Sequence, residues 1–411
     1  MSTNFKIIDG GVTAPAGFSA AGVAAGIKYV NRPDMALIYS QEPCRAAGCF
    51  TTNLVKAAPV IWDMGIVEES PYAQAVVVNS GIANATTGHE GMEVCKKTAE
   101  YAAELLGIPD DSVLIGSTGV IGMQIDIDKV KGGIDKLIPA LSTSRQAAND
   151  AERAIMTTDT VPKEVALTAV IGGKTVTFGA MSKGSGMIHP NMCTMLAYIC
   201  TDCNISREML TKALKSDVVD TFNMITVDGD TSTNDTLLLL SNGMAGNEEI
   251  VSEGEDYRIF CECLHYINET LARKMAADGE GATCLFTCRV TGADTKENAR
   301  ILAKSVVSSS LCKAAIYGHD ANFGRFLCAL GYSGVKFDPD KVELYFKSEA
   351  GSLLMFKDGT PQPFDEEEAT EILSEKEVII LANMNMGDEF ATAWGCDLTY
   401  DYVKINADYR S

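Results

Sequence analysis

Residues 183–196 read KGSGMIHPNMCTML. Gly184 and Gly186 free the backbone on either side of Ser185, and the residue before Pro190 is biased to an extended or turn conformation. Directly after Cys193, an apolar run with strand character spans 194–200. A small hydroxyl residue, Thr194, therefore stands beside a thiol where a loop meets a buried strand. Two readings fit such a junction: ordinary strand entry, or a nucleophile.

Outward from this loop, strand-like and helix-like segments are mixed. MALIYS (35–40) and AVVVN (75–79) are short, apolar and bounded by turn residues, as buried strands are. Residues 89–106 step their apolar positions at three to four, which predicts a helix, and 124–138 predicts another. Segments 165–171 and 174–180 alternate around Gly172-Gly173, a hairpin signal. After Thr194 the pattern predicts strand 194–200, helix 206–219, strand 236–241 and a long helix over 256–277. Strand 283–290 and a helix over 296–309 follow, and the tail 342–407 reads as rich in strands. Strict alternation of strand and helix is missing, so the pattern predicts α+β layers rather than a doubly wound parallel sheet. The one stretch that reads as a joint is 181–193.

Composition narrows the function classes. With 411 residues, 46% hydrophobic and 22% charged, the chain has material for a large globular core. Its net charge is −21, from 34 basic and 55 acidic residues. That argues against nucleic acid or an anionic membrane as partner, because phosphate recognition needs a basic footprint. An anionic small substrate needs only a local Lys or Arg. No apolar run approaches the roughly 18 residues of a membrane span, and MSTNFKIIDGG has neither a signal core nor a transit pattern. The expectation is a cytoplasmic protein. The 13 cysteines follow no framework spacing and read as reduced, buried thiols. Cys200-x-x-Cys203 is a zinc half-site without a second half, so no metal is expected.

Few familiar constellations are present. The four histidines (His89, His189, His265 and His319) have no G-x-S-x-G elbow to serve. Phosphate-loop and dinucleotide fingerprints are absent. DGDTSTND (228–235) gathers oxygen ligands as a calcium loop does, but Leu239 stands where the closing Glu belongs; a polar turn is the plainer reading. That leaves Thr194. A Thr hydroxyl is a weak nucleophile unless a base adjoins it. Cutting the chain before it would place an α-amine, of pKa about 7.7–8.0, beside the hydroxyl. The cut can be self-made if Thr194 Oγ attacks the Cys193 carbonyl and water opens the resulting ester.

Seven segments in order carry a resemblance. GGVTAPAGF (10–18), GSTGVIG (116–122), TTDT (157–160), the loop 183–196, DGDTSTND, DGEGATCLF (278–286) and YVKINADYRS (402–411) resemble the ornithine acetyltransferase (glutamate N-acetyltransferase) family of arginine biosynthesis. The likeness spans essentially the whole chain. It implies a layered helix/sheet sandwich and a precursor that cuts itself before Thr194. Fragments 1–193 and 194–411 would stay together, as a tetramer with two of each. The implied reaction moves an acetyl group from N-acetylornithine to glutamate through acetyl-Thr194, with acetyl-CoA as a second donor in some members. Neither metal nor cofactor is implied.

Residue by residue, the resemblance makes Thr194 the nucleophile and Thr118 with Gly119 the oxyanion hole. It places substrate contacts on Thr157, Lys183, Thr194, Glu280, Asn406 and Ser411. Lys183 suits an α-carboxylate; Glu280 suits a cationic amine or proton transfer. Glu280 and the Thr194 amine are alternative bases. The tail carrying Asn406 and Ser411 is expected to fold into the site. Two positions depart from the family's habit. Cys193 replaces the usual Ala, which raises an alternative cut before Cys193 that would leave a catalytic thiol. Ser411 replaces the more frequent Thr and keeps its hydroxyl. Rival readings are a hydrolase or aminopeptidase with an N-terminal nucleophile, where water takes the acyl group, and an acidic cation-binding or scaffold protein.

Overall fold

The computed structural model describes residues 4–189 and 195–408. The chain forms two compact units that interleave along the sequence: 1–184, 191–219 and 231–271 in the first, and 185–190, 220–230 and 272–411 in the second. The passage at 184/185 falls inside the stretch that reads as a joint.

The first unit holds strands β1 (Phe5–Ile8), β2 (Phe18–Val23), β3 (Met35–Phe50), β4 (Ala73–Asn79), β5 (Val113–Ser117), β6 (Lys163–Ile171), β7 (Lys174–Lys183), β8 (Leu196–Thr201) and β9 (Thr236–Ser241). Its helices are α1 (Ala58–Glu69), α2 (Gly88–Leu106), α3 (Ile127–Ala140), α4 (Arg145–Ile155) and α5 (Arg207–Asp217), and α6 (Glu255–Ala277) begins in it. Among the described residues the strands form one sheet in the order β1-β6-β7-β8-β9-β3-β4-β5, with β2 also on β3.

The long β3 joins the two halves of this sheet. Its first part pairs with β2 and β4, its register shifts between Tyr39 and Cys44, and Arg45–Phe50 then pair with β9. Side chains alternate across a strand, so Ala36 and Ile38 face one way and Met35 and Leu37 the other. Ala36, Ile38, Val76 and Val78 share a core with Met181, Tyr198 and Leu238 of the other half. Met35, Leu37, Ala75 and Val77 pack against Cys95 and Ala99 of α2 and Ile134 of α3. The halves stack closely: a Cβ on Gly116 of β5 would lie 2.0 Å from the Tyr198 hydroxyl of β8. On the far side Phe178 of β7 meets Phe260 of α6, ring centroids 5.2 Å apart. The result is the expected α+β layered sandwich.

Helix α4 has no counterpart among the predicted elements. Its buried residues are Ala147, Ala148, Ala151, Glu152, Ala154 and Ile155, and the alanines carry little hydropathy signal. Small side chains let it approach β2 until a Cβ on Gly22 would stand 2.1 Å from the Asp150 carbonyl oxygen. The Gly172-Gly173 hairpin forms as predicted: both glycines have positive φ, 56° and 72°, and Ile171 pairs with Lys174.

The second unit holds β10 (Leu285–Ala293), β11 (Glu343–Ser348), β12 (Gly351–Lys357), β13 (Thr360–Pro361), β14 (Glu377–Asn383) and β15 (Glu389–Cys396) in the order β13-β12-β11-β14-β10-β15. Only β10 and β14 run parallel among these pairs. Helices α7 (Lys296–Ser308), α8 (Ser310–Tyr317), α9 (Phe323–Gly331), α10 (Glu366–Leu373) and α11 (Tyr400–Ala407) complete it. Phe326 of α9 joins Phe286 of β10 and Phe346 of β11 edge-on, at 6.0 and 5.2 Å. The strand-rich tail is therefore correct up to Cys396, after which the chain turns helical. No helix among the described residues is long and apolar enough to cross a membrane.

Candidate active site

In the first unit the predicted residues gather where β5 and β7 end. Ser117-Thr118-Gly119 leaves β5 in a tight turn. Thr118 N–H donates to Asn79 O at 3.0 Å and Val120 N–H to Gly81 O at 3.1 Å. Gly119 has φ 127°, and a Cβ there would sit 2.2 Å from the Gly81 carbonyl carbon, so only glycine fits. Its N–H finds no acceptor among the described residues. Asn234 braces the turn by donating to Ser117 O at 2.8 Å and Ala83 O at 2.6 Å.

Lys183, the last residue of β7, is buried. Its Nζ donates to Thr118 Oγ1 at 3.3 Å. A hydroxyl that accepts from an ammonium keeps its own proton for another acceptor, so Thr118 O–H and Gly119 N–H are two donors at one turn. Thr157 reaches the same region through its backbone: its N–H donates to Asp159 Oδ2 at 3.1 Å, and its carbonyl accepts from Arg32 at 2.9 Å. The Asp159 side chain is fully buried. Burial alone would raise its carboxyl, but Lys183, Lys163 and the Gly184 N–H hold it well below the usual carboxylate range.

Cys193, Thr194 and Ser411 lie outside the described residues. The chain on the C-terminal side of 194 is pinned: Thr236 N–H donates to Met195 O at 2.8 Å, and the Met195 N–H hydrogen-bonds the buried Asp235 carboxyl. Burial pushes the Asp235 carboxyl well up, against help from Ser232 and Thr51.

The second unit organises the loop over 185–189. Asp228 accepts from Met187 N–H at 2.5 Å and Ile188 N–H at 2.9 Å, and Val227 N–H donates to Ile188 O at 2.7 Å. Ser185 Oγ donates to Asp278 O at 2.7 Å, and Glu280 N–H to Ser185 O at 2.8 Å. His189 Nδ1 lies 3.0 Å from Thr226 Oγ1; burial and then Lys304 push its imidazole down to about 4, so it is neutral near pH 7. Glu280 is buried, and its Oε2 accepts from Asn406 of α11 at 2.7 Å. Helix α11 thus reaches Glu280 through Asn406. A Cβ on Gly186 would lie 2.3 Å from the Glu280 carboxyl carbon, which explains glycine in that loop.

The acidic motif DGDTSTND acts as a set of backbone anchors. Asp228 takes peptide N–H groups and Asn234 holds carbonyls, and no group of three or more metal-ligating side chains occurs among the described residues. Cys200 and Cys203 are buried, and burial pushes both thiols up, away from the thiolate a metal needs. Asp159, Lys163, Asp228, Asn234 and Asp235 are absent from the predicted site. Asp159, Asp228, Asn234 and Asp235 lie within segments that carry the family resemblance, and that position was the signal available to find them.

A hydroxyl, a glycine N–H and a buried ammonium where two strands end form the kind of site that stabilises charge on an acyl oxygen. The chain belongs to the ArgJ family, whose pattern matches residues 19–411. It is 52% identical over 394 residues to the arginine biosynthesis bifunctional protein ArgJ 1 of Clostridium acetobutylicum, covering 96% of each chain. It is also 52% identical over 404 residues to the arginine biosynthesis bifunctional protein ArgJ of Symbiobacterium thermophilum, covering 98% of this chain and 99% of that one. Among solved structures, that of the arginine biosynthesis bifunctional protein ArgJ from Bacillus halodurans matches with 44% identity and a TM-score of 0.49, over 51% of this chain and 97% of the other.

Proposed function

We propose that the protein is a self-processing acyltransferase of arginine biosynthesis, moving the acetyl group of N-acetylornithine to glutamate. Family membership over nearly the whole chain carries this reading, and the pairing of Thr118 with Lys183 gives it a chemical rationale. Thr194 Oγ attacks the Cys193 carbonyl; the ester that forms is opened by water, leaving residues 1–193 and a new N-terminal Thr194. The freed amine, or Glu280, takes the hydroxyl proton. The hydroxyl attacks the acetyl carbonyl, ornithine leaves with a proton on its amine, and glutamate's amine accepts the acetyl group from the Thr194 ester. Thr118 O–H and Gly119 N–H meet the negative charge that develops on the acyl oxygen in each step. Lys183 binds a substrate carboxylate, with Thr157, Asn406 and Ser411 as further contacts. Relatives described as bifunctional support acetyl-CoA as a second donor. The setting is the cytoplasm, and the two fragments associate two by two.

Glutamate should accelerate loss of N-acetylornithine severalfold over buffer. Turnover indifferent to glutamate means that water is the acceptor, and the transferase reading fails. Gly186→Ala should lower transfer kcat/KM by up to about a hundredfold, since displacing a positioned group by roughly 1 Å has that effect. Steady-state kinetics on the processed variant checks it, with wild-type rates as the contrary result.

A further inference from the structure

Lys183 shares its carboxylate with a second ammonium. Asp159 Oδ1 accepts from Lys163 Nζ at 2.7 Å and from Gly184 N–H at 2.7 Å. Asp159 Oδ2 accepts from Thr157 N–H at 3.1 Å and stands 4.0 Å from Lys183 Nζ. The two lysines differ in access: the Lys163 side chain is 0% exposed and that of Lys183 10%. Two other acids border the cluster. Glu152 Oε1 accepts from the Lys163 backbone N–H at 2.9 Å, and Asp235 lies within electrostatic reach of Lys183. Burial pushes both carboxyls well above the usual carboxylate range. Asp159 therefore faces two ammonium groups, and only Lys183 keeps exposed surface.

A carboxylate with no inner partner would draw Lys183 from 4.0 Å into a direct charge-assisted hydrogen bond, which is about twice as strong as a neutral one. Lys183 would then turn away from Thr118 and lose its capacity for an incoming anion. We propose that Lys163 is a positioning residue for carboxylate binding: by filling Asp159 Oδ1 from inside the protein, it keeps Lys183 on Thr118 and able to receive a substrate carboxylate. Lys163 never touches substrate. The inference rests on the acetyl-transfer reading for the identity of that substrate.

The test uses the processed full-length protein and the variants Lys163→Met and Asp159→Asn/Lys163→Met. Lys163→Met should raise KM for N-acetylornithine and glutamate by about tenfold or more, the loss of one charge-assisted contact, with kcat per processed site within about threefold. Removing the now unopposed carboxylate in the double variant should return KM to within about threefold of wild type. A merely structural role gives no such recovery. The α-carboxamide analogue of N-acetylornithine should be insensitive to Lys163→Met. An unchanged KM in Lys163→Met, or a double variant no better than the single, overturns the proposal. If Lys163→Met does not accumulate as folded protein, the double variant decides alone: KM near wild type supports the proposal, and a tenfold rise overturns it. Calorimetric titration of glutamate separates the two readings. Wild type that binds glutamate but transfers nothing fails only the acetyl-transfer reading, and the same variant comparison is then made on Kd. Wild type that binds no glutamate overturns both.

Discussion

Replacing Thr194 by Ala is expected to leave one uncut chain of 43.9 kDa and transfer below about a thousandth of wild type. Both losses follow from one atom. Without Oγ no group at this position can attack the Cys193 carbonyl, so the α-amine is never released, and no ester can carry the acetyl group. Intact mass measurement on denatured protein reads the first loss and an N-acetylornithine assay the second. Wild type should give two fragments meeting at 193/194. A second fragment that begins at Cys193 would instead assign the chemistry to the thiol. A Thr194→Ala variant that still appears as two fragments sinks the mechanism. The expectation for Cys193→Ala is ordinary processing, because only the carbonyl of that residue reacts.

Thr118→Ala should lower kcat per processed site by about a hundred- to a thousandfold, with KM within a few-fold. The hydroxyl matters most when charge collects on the acyl oxygen, and less while the carbonyl is neutral, so the loss belongs to the transition state. Lys183 prepares that hydroxyl by donating to it at 3.3 Å. Thr118→Ser keeps the donor and should recover most of the rate. Because the self-cleavage passes through a similar oxyanion on the Cys193 carbonyl, processing should slow as well, and rates are normalised to the amount of second fragment. Wild-type kcat in the Ala variant would remove Thr118 from the oxyanion hole.

Legibility along the chain followed the strength of the burial signal. β4, β6, β7 and β9 are short and heavily buried, and their boundaries were readable to within a few residues. The faces of α2, α6 and α7 are spaced as helices require. Helix α4 escaped because its buried face is mostly alanine and includes the charged Glu152. The length of β3 escaped because Gln41-Glu42-Pro43 interrupts its apolar run and reads as a turn. The final turn into α11 rests on local capping: Thr399 accepts from the Tyr402 N–H, a signal easily lost beside the strand-rich stretch before it.

The candidate residues were legible as a set because their motifs lie in order along the chain. Thr118, Gly119, Lys183, Glu280 and Asn406 needed no coordinates to be named. Their working relations did. Whether Lys183 is a solvated surface charge or a buried ammonium depends on Asp159, 24 positions earlier, and on Lys163 opposite it. Sequence patterning reports how a segment meets its own neighbours, with a period of two or of 3.6 residues. Charge balance and hydrogen-bond supply in a buried site are sums over groups brought together from distant segments, and only the folded chain sets those distances. The amino-acid order therefore specified the chemistry on offer and the layered α+β architecture. The tertiary structure decided which carboxylate meets two ammonium groups, which of those ammonium groups keeps exposed surface, and which hydroxyl accepts from it.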